Sequence, residues 1–287
     1  YFSHYEQNAQ VDLNDRLLVN DGTGFFTDSL ETRMTSEMLL SAFGTAVAIE
    51  DMNGDGVNDV VKDTGLQTPT RVSISYNNPA SEGNFNAFDV IYNNTPYFIT
   101  VGDLNGDGRL DVVVVDDGAD QILLNQGNSN GQATFSNSFL PNSSQFGGNA
   151  VIEDLNNDGY PDVLVSDVDV DGFGCSRHMN IYRNLGDVPN VTFAEQGEVI
   201  PENMLQGTHD VAVFDIDGDG WKDLVIGRCT GTEIWMNQPP TGLVYSYPNG
   251  LPAVLTPDQE LTFEVLVTPF GGGDPAPSSG KLFVSAD

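Results

Sequence analysis

The 287-residue sequence predicts an all-β fold and, within that class, a β-propeller of four-stranded blades. Three observations carry this expectation. One pattern recurs four times, with first loop aspartates at Asp51, Asp103, Asp154 and Asp215, spaced by 52, 51 and 61 residues. Each copy sets an acidic loop between two apolar runs rich in β-branched residues. Short strand-like stretches punctuated by Gly and Asn, with no helical period, fill the remainder. Four strands in about fifty residues is the size of one blade, and a blade cannot bury both faces of its sheet without neighbours.

Composition agrees and narrows the function classes. Asp and Glu number 42 against 10 Lys and Arg, a formal net charge of −32. Such a chain is no natural partner for nucleic acid, whose phosphates need Lys and Arg, nor for an anionic membrane surface. The acid is 30 Asp against 12 Glu, and Asp favours turns over helix interiors. With 39% hydrophobic residues and 31 Gly, the chain reads as a turn-rich globular β protein rather than a disordered acidic tail. No run approaches the roughly 20 apolar residues of a membrane helix.

The repeat sets the expected boundaries. The four acidic segments are TAVAIEDMNGDGVNDVV from Thr45, YFITVGDLNGDGRLDVV from Tyr97, GNAVIEDLNNDGYPDVL from Gly148 and HDVAVFDIDGDGWKDLV from His209. A second, weaker repeat follows each one and ends at Asn77, Asn125, Asn184 and Asn237; a fifth copy, RLLVN, ends at Asn20. Complete blades are expected over residues 44–95, 96–146, 147–206 and 207–250. In the second and fourth units the outer Asn follows the last loop aspartate by 14 residues, and 14 residues back from Asn20 lies Glu6. Residues 1–43 therefore read as the rear of a blade whose acidic loop would precede Tyr1, so a piece of a longer chain is expected. Past about Gly250 the pattern stops. Leu261–Val267 and Lys281–Ser285 alternate like strands, and residues 251–287 are expected to be a linker and the start of an immunoglobulin-like β-sandwich; the alternative is that these strands complete the broken first blade.

The acidic loops run D-x-N-x-D-G-x-x-D, with Asp217 in place of Asn in the fourth and Asn157 in place of the first Gly in the third. Oxygen side chains at positions 1, 3, 5 and 9, with a carbonyl at 7, suit a hard cation that takes six to eight oxygens, and Ca²⁺ fits better than Mg²⁺. The position-6 glycines Gly56, Gly108, Gly159 and Gly220 permit the sharp turn. An EF-hand needs Glu at position 12, where this chain has Lys62, Val114, Val165 and Ile226 inside apolar strands. The expectation is a calcium loop within a β-hairpin. Asp-Gly and Asn-Gly pairs also serve as plain turn formers. Against that reading, four spaced copies place 13 aspartates whose mutual repulsion calls for cations.

These units resemble FG-GAP repeats, also called VCBS repeats, found in the propeller of integrin α subunits and in secreted bacterial proteins. The Phe-Gly pair stands at Phe43-Gly44 and Phe146-Gly147; the other units have Pro96-Tyr97 and Gln206-Gly207 in that region. The resemblance covers roughly residues 10–250 and implies about four structural Ca²⁺ ions, each stapling a hairpin within its blade. The implied ligands are Asp51, Asn53, Asp55, Asp59 and the Val57 carbonyl in the first loop. The second would use Asp103, Asn105, Asp107, Asp111 and the Arg109 carbonyl. The third would use Asp154, Asn156, Asp158, Asp162 and the Tyr160 carbonyl, and the fourth Asp215, Asp217, Asp219, Asp223 and the Trp221 carbonyl.

The third unit carries about ten extra residues, in which Asp167, Asp169 and Asp171 form either a further cation site or a solvated loop. Cys175 and Cys229 occupy corresponding hairpin positions of adjacent blades; a cross-blade disulfide is expected there, with two separate thiols the alternative. A disulfide would fit a secreted protein. Sequons stand at Asn93, Asn142 and Asn190. The three histidines, His4, His178 and His209, are scattered, and no nucleophile elbow, phosphate loop or histidine-rich zinc motif occurs. The leading expectation is a non-enzymatic extracellular module for adhesion or surface and filament assembly, with a protein or glycan partner or self-assembly. A carbohydrate-binding propeller is the alternative, for which Tyr76, Tyr92, Trp221 and Trp235 would stack on sugars if they were not core. A third reading is an accessory domain of a larger secreted enzyme.

Overall fold

The computed structural model describes residues 1, 15–39, 44–65, 68–143, 147–167, 175, 179–196, 200–238, 242–246 and 265–270. The chain divides into two compact units, Tyr1–Trp235 and Met236–Asp287. Strands dominate, and the helices among the described residues are single turns: α1 (Leu30–Arg33), α2 (Ser36–Leu39) and α3 (Glu202–Leu205).

The first unit is a series of antiparallel sheets in chain order. A two-stranded hairpin, β1 (Leu18–Asn20) with β2 (Phe26–Asp28), comes first. Three four-stranded meanders follow. The first is β3 (Val47–Glu50), β4 (Asp59–Thr64), β5 (Arg71–Asn77) and β6 (Phe85–Tyr92). The second is β7 (Pro96–Gly102), β8 (Asp111–Asp116), β9 (Gln121–Ser129) and β10 (Gln132–Phe139). The third is β11 (Gly147–Glu153), β12 (Asp162–Asp167), β13 (Met179–Asn184) and β14 (Phe193–Glu195). A fourth sheet has three strands among the described residues: β15 (Thr208–Phe214), β16 (Asp223–Arg228) and β17 (Gly231–Trp235). In the second unit β18 (Gly242–Ser246) pairs antiparallel with β19 (Leu266–Phe270). The strand expected over Leu261–Val267 is described only from Val265 onward, and the one expected over Lys281–Ser285 lies outside the described residues.

The second strand of each meander shows why these sequences stack. Side chains alternate across a strand, so a continuous apolar run requires burial on both faces. In β8, Val112 and Val114 enter a core with Val61, Ile74 and Tyr76 of the first sheet. Val113 and Val115 enter a separate core with Val163, Val165 and Tyr182 of the third. Leu164 in turn faces Val211, Leu224 and Ile226 of the fourth. On the outer face of the first sheet, Val60 and Phe85 pack on Leu30, Met34 and Met38 of the preceding one-turn helices. The first strands are neighbours throughout: β7 lies beside β3 and β4, β11 beside β7 and β8, and β15 beside β11 and β12.

Sheet contacts are close enough to dictate composition. A Cβ added at Gly147 would stand 1.8 Å from Val115 Cγ1 of the neighbouring sheet. This explains the glycine of the third unit's Phe-Gly pair; Phe43 and Phe146 lie outside the described residues. Lys62, at the position where an EF-hand would carry its Glu, is fully buried, with Nζ 2.5 Å from Asp15 Oδ2 and donating to the Met38 carbonyl at 2.8 Å. It ties β4 to the segment that precedes it.

Candidate metal centres

Each acidic loop connects the first two strands of its sheet, and the strand register frames it. The position-9 aspartate is the first residue of the second strand, paired with the last residue of the first: Glu50 with Asp59, Gly102 with Asp111, Glu153 with Asp162 and Phe214 with Asp223. Between these pairs the chain must reverse within eight residues while turning its oxygens inward. Gly56, Gly108, Gly159 and Gly220 make that turn at φ of 93°, 81°, 90° and 89°. A Cβ there would meet nothing within 4 Å, so the need for glycine is dihedral rather than steric. Asn157 takes position 4 of the third loop at φ 56°, a left-handed conformation that Asn tolerates.

The loops share a hydrogen-bond scaffold. Asp51 Oδ1 accepts from the N–H groups of Gly54 (2.8 Å) and Asp55 (3.1 Å), and Oδ2 from Gly56 at 2.8 Å. Asp103 repeats this with Gly106, Asp107 and Gly108 at 2.8, 3.1 and 2.8 Å. Asp154 engages Asp158 and Gly159, and Asp215 engages Gly218 and Gly220. The position-3 oxygen accepts from the position-5 N–H at Asn53, Asn105, Asn156 and Asp217. The position-5 carboxylates of Asp55, Asp107, Asp158 and Asp219 accept from the N–H of Val57, Arg109, Tyr160 and Trp221. Those N–H groups belong to the residues whose carbonyls the family resemblance makes ligands. Backbone donors thus fix the side chains at positions 1, 3 and 5 and orient their remaining lone pairs.

Position 9 differs, because the group is buried and, in the first three loops, one of its two donors comes from outside the loop. Asp59 accepts from Met52 N (3.1 Å) and Asn77 N (2.9 Å). Asp111 accepts from Leu104 N (2.9 Å) and Asn125 N (2.7 Å), and Asp162 from Leu155 N (3.0 Å) and Asn184 N (2.9 Å). Burial pushes all three up to about 6, against the opposing effect of those backbone donors, and the aspartates at positions 5 and 1 push in the same direction. Asn77, Asn125 and Asn184, recurrent in the sequence but without a role there, are thereby explained. The N–H of each anchors its loop's last carboxylate.

The residues suit a hard divalent cation. Carboxylate and amide oxygens are the only side-chain donors at the four key positions, and the like charges that add to burial in raising Asp59, Asp111 and Asp162 are what a cation would relieve. In the fourth loop, carboxylate oxygens of Asp215, Asp217 and Asp223 lie within 4.8 Å of one another. Among the described residues, this is where three carboxylates converge to that degree; in the other loops Asn53, Asn105 and Asn156 hold the third position. Of the further site expected in the third unit, Asp169, Asp171 and the Asp167 side chain lie outside the described residues.

Other expected residues are placed as follows. Cys175 and Cys229 form a disulfide, Cα–Cα 6.2 Å, joining the segment after β12 to the β16–β17 turn. Asn93, Asn142 and Asn190 are exposed, and Asn142 Nδ2 donates to Glu195 Oε2 at 3.0 Å. His209 Nε2 stands 3.3 Å from Cys229 Sγ, while His4 and His178 lie outside the described residues. Tyr76 and Tyr92 are core rather than sugar platforms: both are buried, Tyr76 OH accepting from Ala133 N at 3.0 Å and Tyr92 OH donating to Asp116 at 2.7 Å. Trp221 and Trp235 are half-buried, and Trp235 packs on the core between the third and fourth sheets. No helix among the described residues is long and apolar enough to cross a membrane.

No curated protein matches the chain. The family model of the FG-GAP-like repeat matches residues 103–165, a span that runs from the second acidic loop through the third into β12. The scaffold of those two loops recurs in the first and fourth, and the chain is thus identified as carrying an FG-GAP-like repeat over residues 103–165.

Proposed function

We propose that this chain is a non-enzymatic, extracellular β-propeller module stiffened by structural Ca²⁺, serving adhesion or surface assembly through a protein or glycan partner or through self-association. The successive four-stranded sheets are its blades, and residues 251–287 are a linker and the start of an immunoglobulin-like domain. Blade boundaries follow the repeat, at 44–95, 96–146, 147–206 and 207–250.

The observation that carries this reading is the fourfold loop scaffold, in which backbone donors orient oxygens at positions 1, 3 and 5 around a buried position-9 aspartate. The side chains proposed to hold the ions are Asp51, Asn53, Asp55 and Asp59; Asp103, Asn105, Asp107 and Asp111; Asp154, Asn156, Asp158 and Asp162; and Asp215, Asp217, Asp219 and Asp223. The carbonyls of Val57, Arg109, Tyr160 and Trp221 complete the sets. A bound Ca²⁺ supplies positive charge that cancels the repulsion among these carboxylates. An external setting is supported by the Cys175–Cys229 disulfide and by the exposed sequons. The sugar-stacking alternative loses two of its four aromatics to the core.

Calorimetric titration of the chelator-treated protein with Ca²⁺ tests the proposal. About four sites and a raised unfolding midpoint are expected. Absence of binding at millimolar Ca²⁺ refutes it.

A further inference from the structure

We propose that the first and second acidic loops each clamp their own sheet to the next one along the chain, so that a cation bound in one of these loops is felt in the following sheet. The inference rests on the calcium reading above and adds a direction and a set of residues to it.

The position-2 and position-3 residues of each loop reach forward. Met52 is 2% exposed and sits in the core with Val112, Val114 and Leu123 of the second sheet. Its carbonyl accepts from Asn125 Nδ2 at 2.9 Å. Asn53 Nδ2 donates to the Gly131 carbonyl at 2.8 Å, and Asn128 Nδ2 donates to the Asn53 carbonyl at 2.9 Å. Both Asn128 and Gly131 lie at the β9–β10 hairpin. The next junction repeats the pattern. Leu104 is fully buried against the third sheet, its carbonyl accepts from Asn184 Nδ2 at 2.8 Å, and Asn105 Nδ2 donates to the Pro189 carbonyl at 2.9 Å.

The later loops show what the device requires. In the third, Leu155 packs on the core shared with the fourth sheet and Asn157 Nδ2 donates to the Gly220 carbonyl at 3.2 Å. The Asn156 amide nitrogen is buried with no hydrogen-bond partner among the described residues. In the fourth loop, Ile216 at position 2 is 39% exposed and position 3 is Asp217, which has no N–H to donate. An amide at position 3 serves two sides at once. Its oxygen accepts within the loop, while its nitrogen donates both to the position-5 carboxylate (Asn53 to Asp55 Oδ2 at 3.0 Å, Asn105 to Asp107 Oδ2 at 2.9 Å) and to the neighbouring hairpin; because the amide is planar and rigid, ordering one side orders the other. Without the cation, the carboxylates at positions 1, 5 and 9 repel and the forward contacts loosen with the loop.

Hydrogen exchange on the full chain, in millimolar Ca²⁺ and in chelator, tests this with Asn128→Asp, which leaves every proposed ligand in place. The variant keeps the side-chain oxygen that accepts from Gly131 N and loses the amide that donates to the Asn53 carbonyl. In the wild type, Ca²⁺ should slow exchange in loop 51–59 and in hairpin 126–134. In Asn128→Asp, Ca²⁺ should still slow the loop while the hairpin exchanges roughly fivefold faster in Ca²⁺ than in the wild type, the scale of one lost hydrogen bond. Calcium protection of the hairpin that is unchanged in the variant overturns the clamp and leaves the calcium reading standing. Loops that show no calcium-dependent exchange in the wild type overturn both.

Discussion

Asp111→Asn separates the two things asked of the position-9 carboxylate, which are holding backbone donors and binding a cation. Asp111 is fully buried and accepts from Leu104 N and Asn125 N. Replacing one of its oxygens with NH₂ sets a donor against a buried N–H, at a cost of about 1–3 kcal/mol. The same change removes a buried charge whose pKa burial and Asp107 and Asp103 push up from 3.8 to about 6. That shift corresponds to a relief of about 3 kcal/mol at pH 7.5. The two effects offset in part, so in chelator the variant should equal the wild type or exceed it by up to about 2 kcal/mol. Calcium acts on the wild type alone. At a free concentration one hundred times Kd the wild type gains about 2.7 kcal/mol from that site, and the variant, lacking an anionic ligand, gains little. For a unit of this size that gain amounts to roughly 5–11 °C, and the difference in midpoint between wild type and variant should shift by this much between chelator and Ca²⁺. Circular dichroism melts in both buffers read it directly. An equal gap in the two buffers refutes the assignment of Asp111 as a ligand, and a wild type indifferent to Ca²⁺ refutes the site.

With ions removed, the folded pKa values of Asp59, Asp111 and Asp162 (about 6) and of Asp63 (about 7, raised by burial) all exceed the ordinary aspartate value of 3.8. The stability they confer is full below pH 4 and is lost as pH rises to 7, whereas the increment due to Ca²⁺ grows over the same window because its ligands must be ionised. Urea midpoints at pH 4.5, 6 and 7.5, with and without Ca²⁺, should therefore diverge upward, and parallel curves contradict the assignment. Cys175→Ser opens a link across 54 residues, which loop-closure entropy values at about 4 kcal/mol; urea unfolding should register a loss of at least half that, and equality with the oxidised parent counts against the disulfide. Gly147→Ala forces a methyl into Val115 and should cost about 1–3 kcal/mol, partly restored by adding Val115→Ala. A neutral Gly147→Ala would mean that the second and third sheets are not seated as described.

How far the sequence could be read follows from distance along the chain. The acidic loops were legible because all their side-chain oxygens fall within nine residues and their glycines answer a local dihedral need. The strands were legible for a similar reason, since alternation over a few residues shows which way each side chain faces. The valine run of β8 announced burial on both faces but not by what; only packing assigned Val112 and Val114 to one neighbour and Val113 and Val115 to the other. The sequence also displayed the recurrent Asn77, Asn125 and Asn184 without a reason for them.

Tertiary structure supplied that reason, because the partners of these residues are remote. Asn125 reaches Met52 across 73 residues and Asn105 reaches Pro189 across 84, spans over which no local pattern carries information. The burial of Tyr76 and Tyr92, which the sequence left open between core and sugar platform, was decided in the same way by a neighbouring sheet. Taken alone, the sequence determined what this protein repeats and which oxygens it offers a cation. The stacking of one sheet on the next decided what those loops hold together, since hydrogen bonds and close packing depend on positions in space that the intervening chain sets only after it has folded.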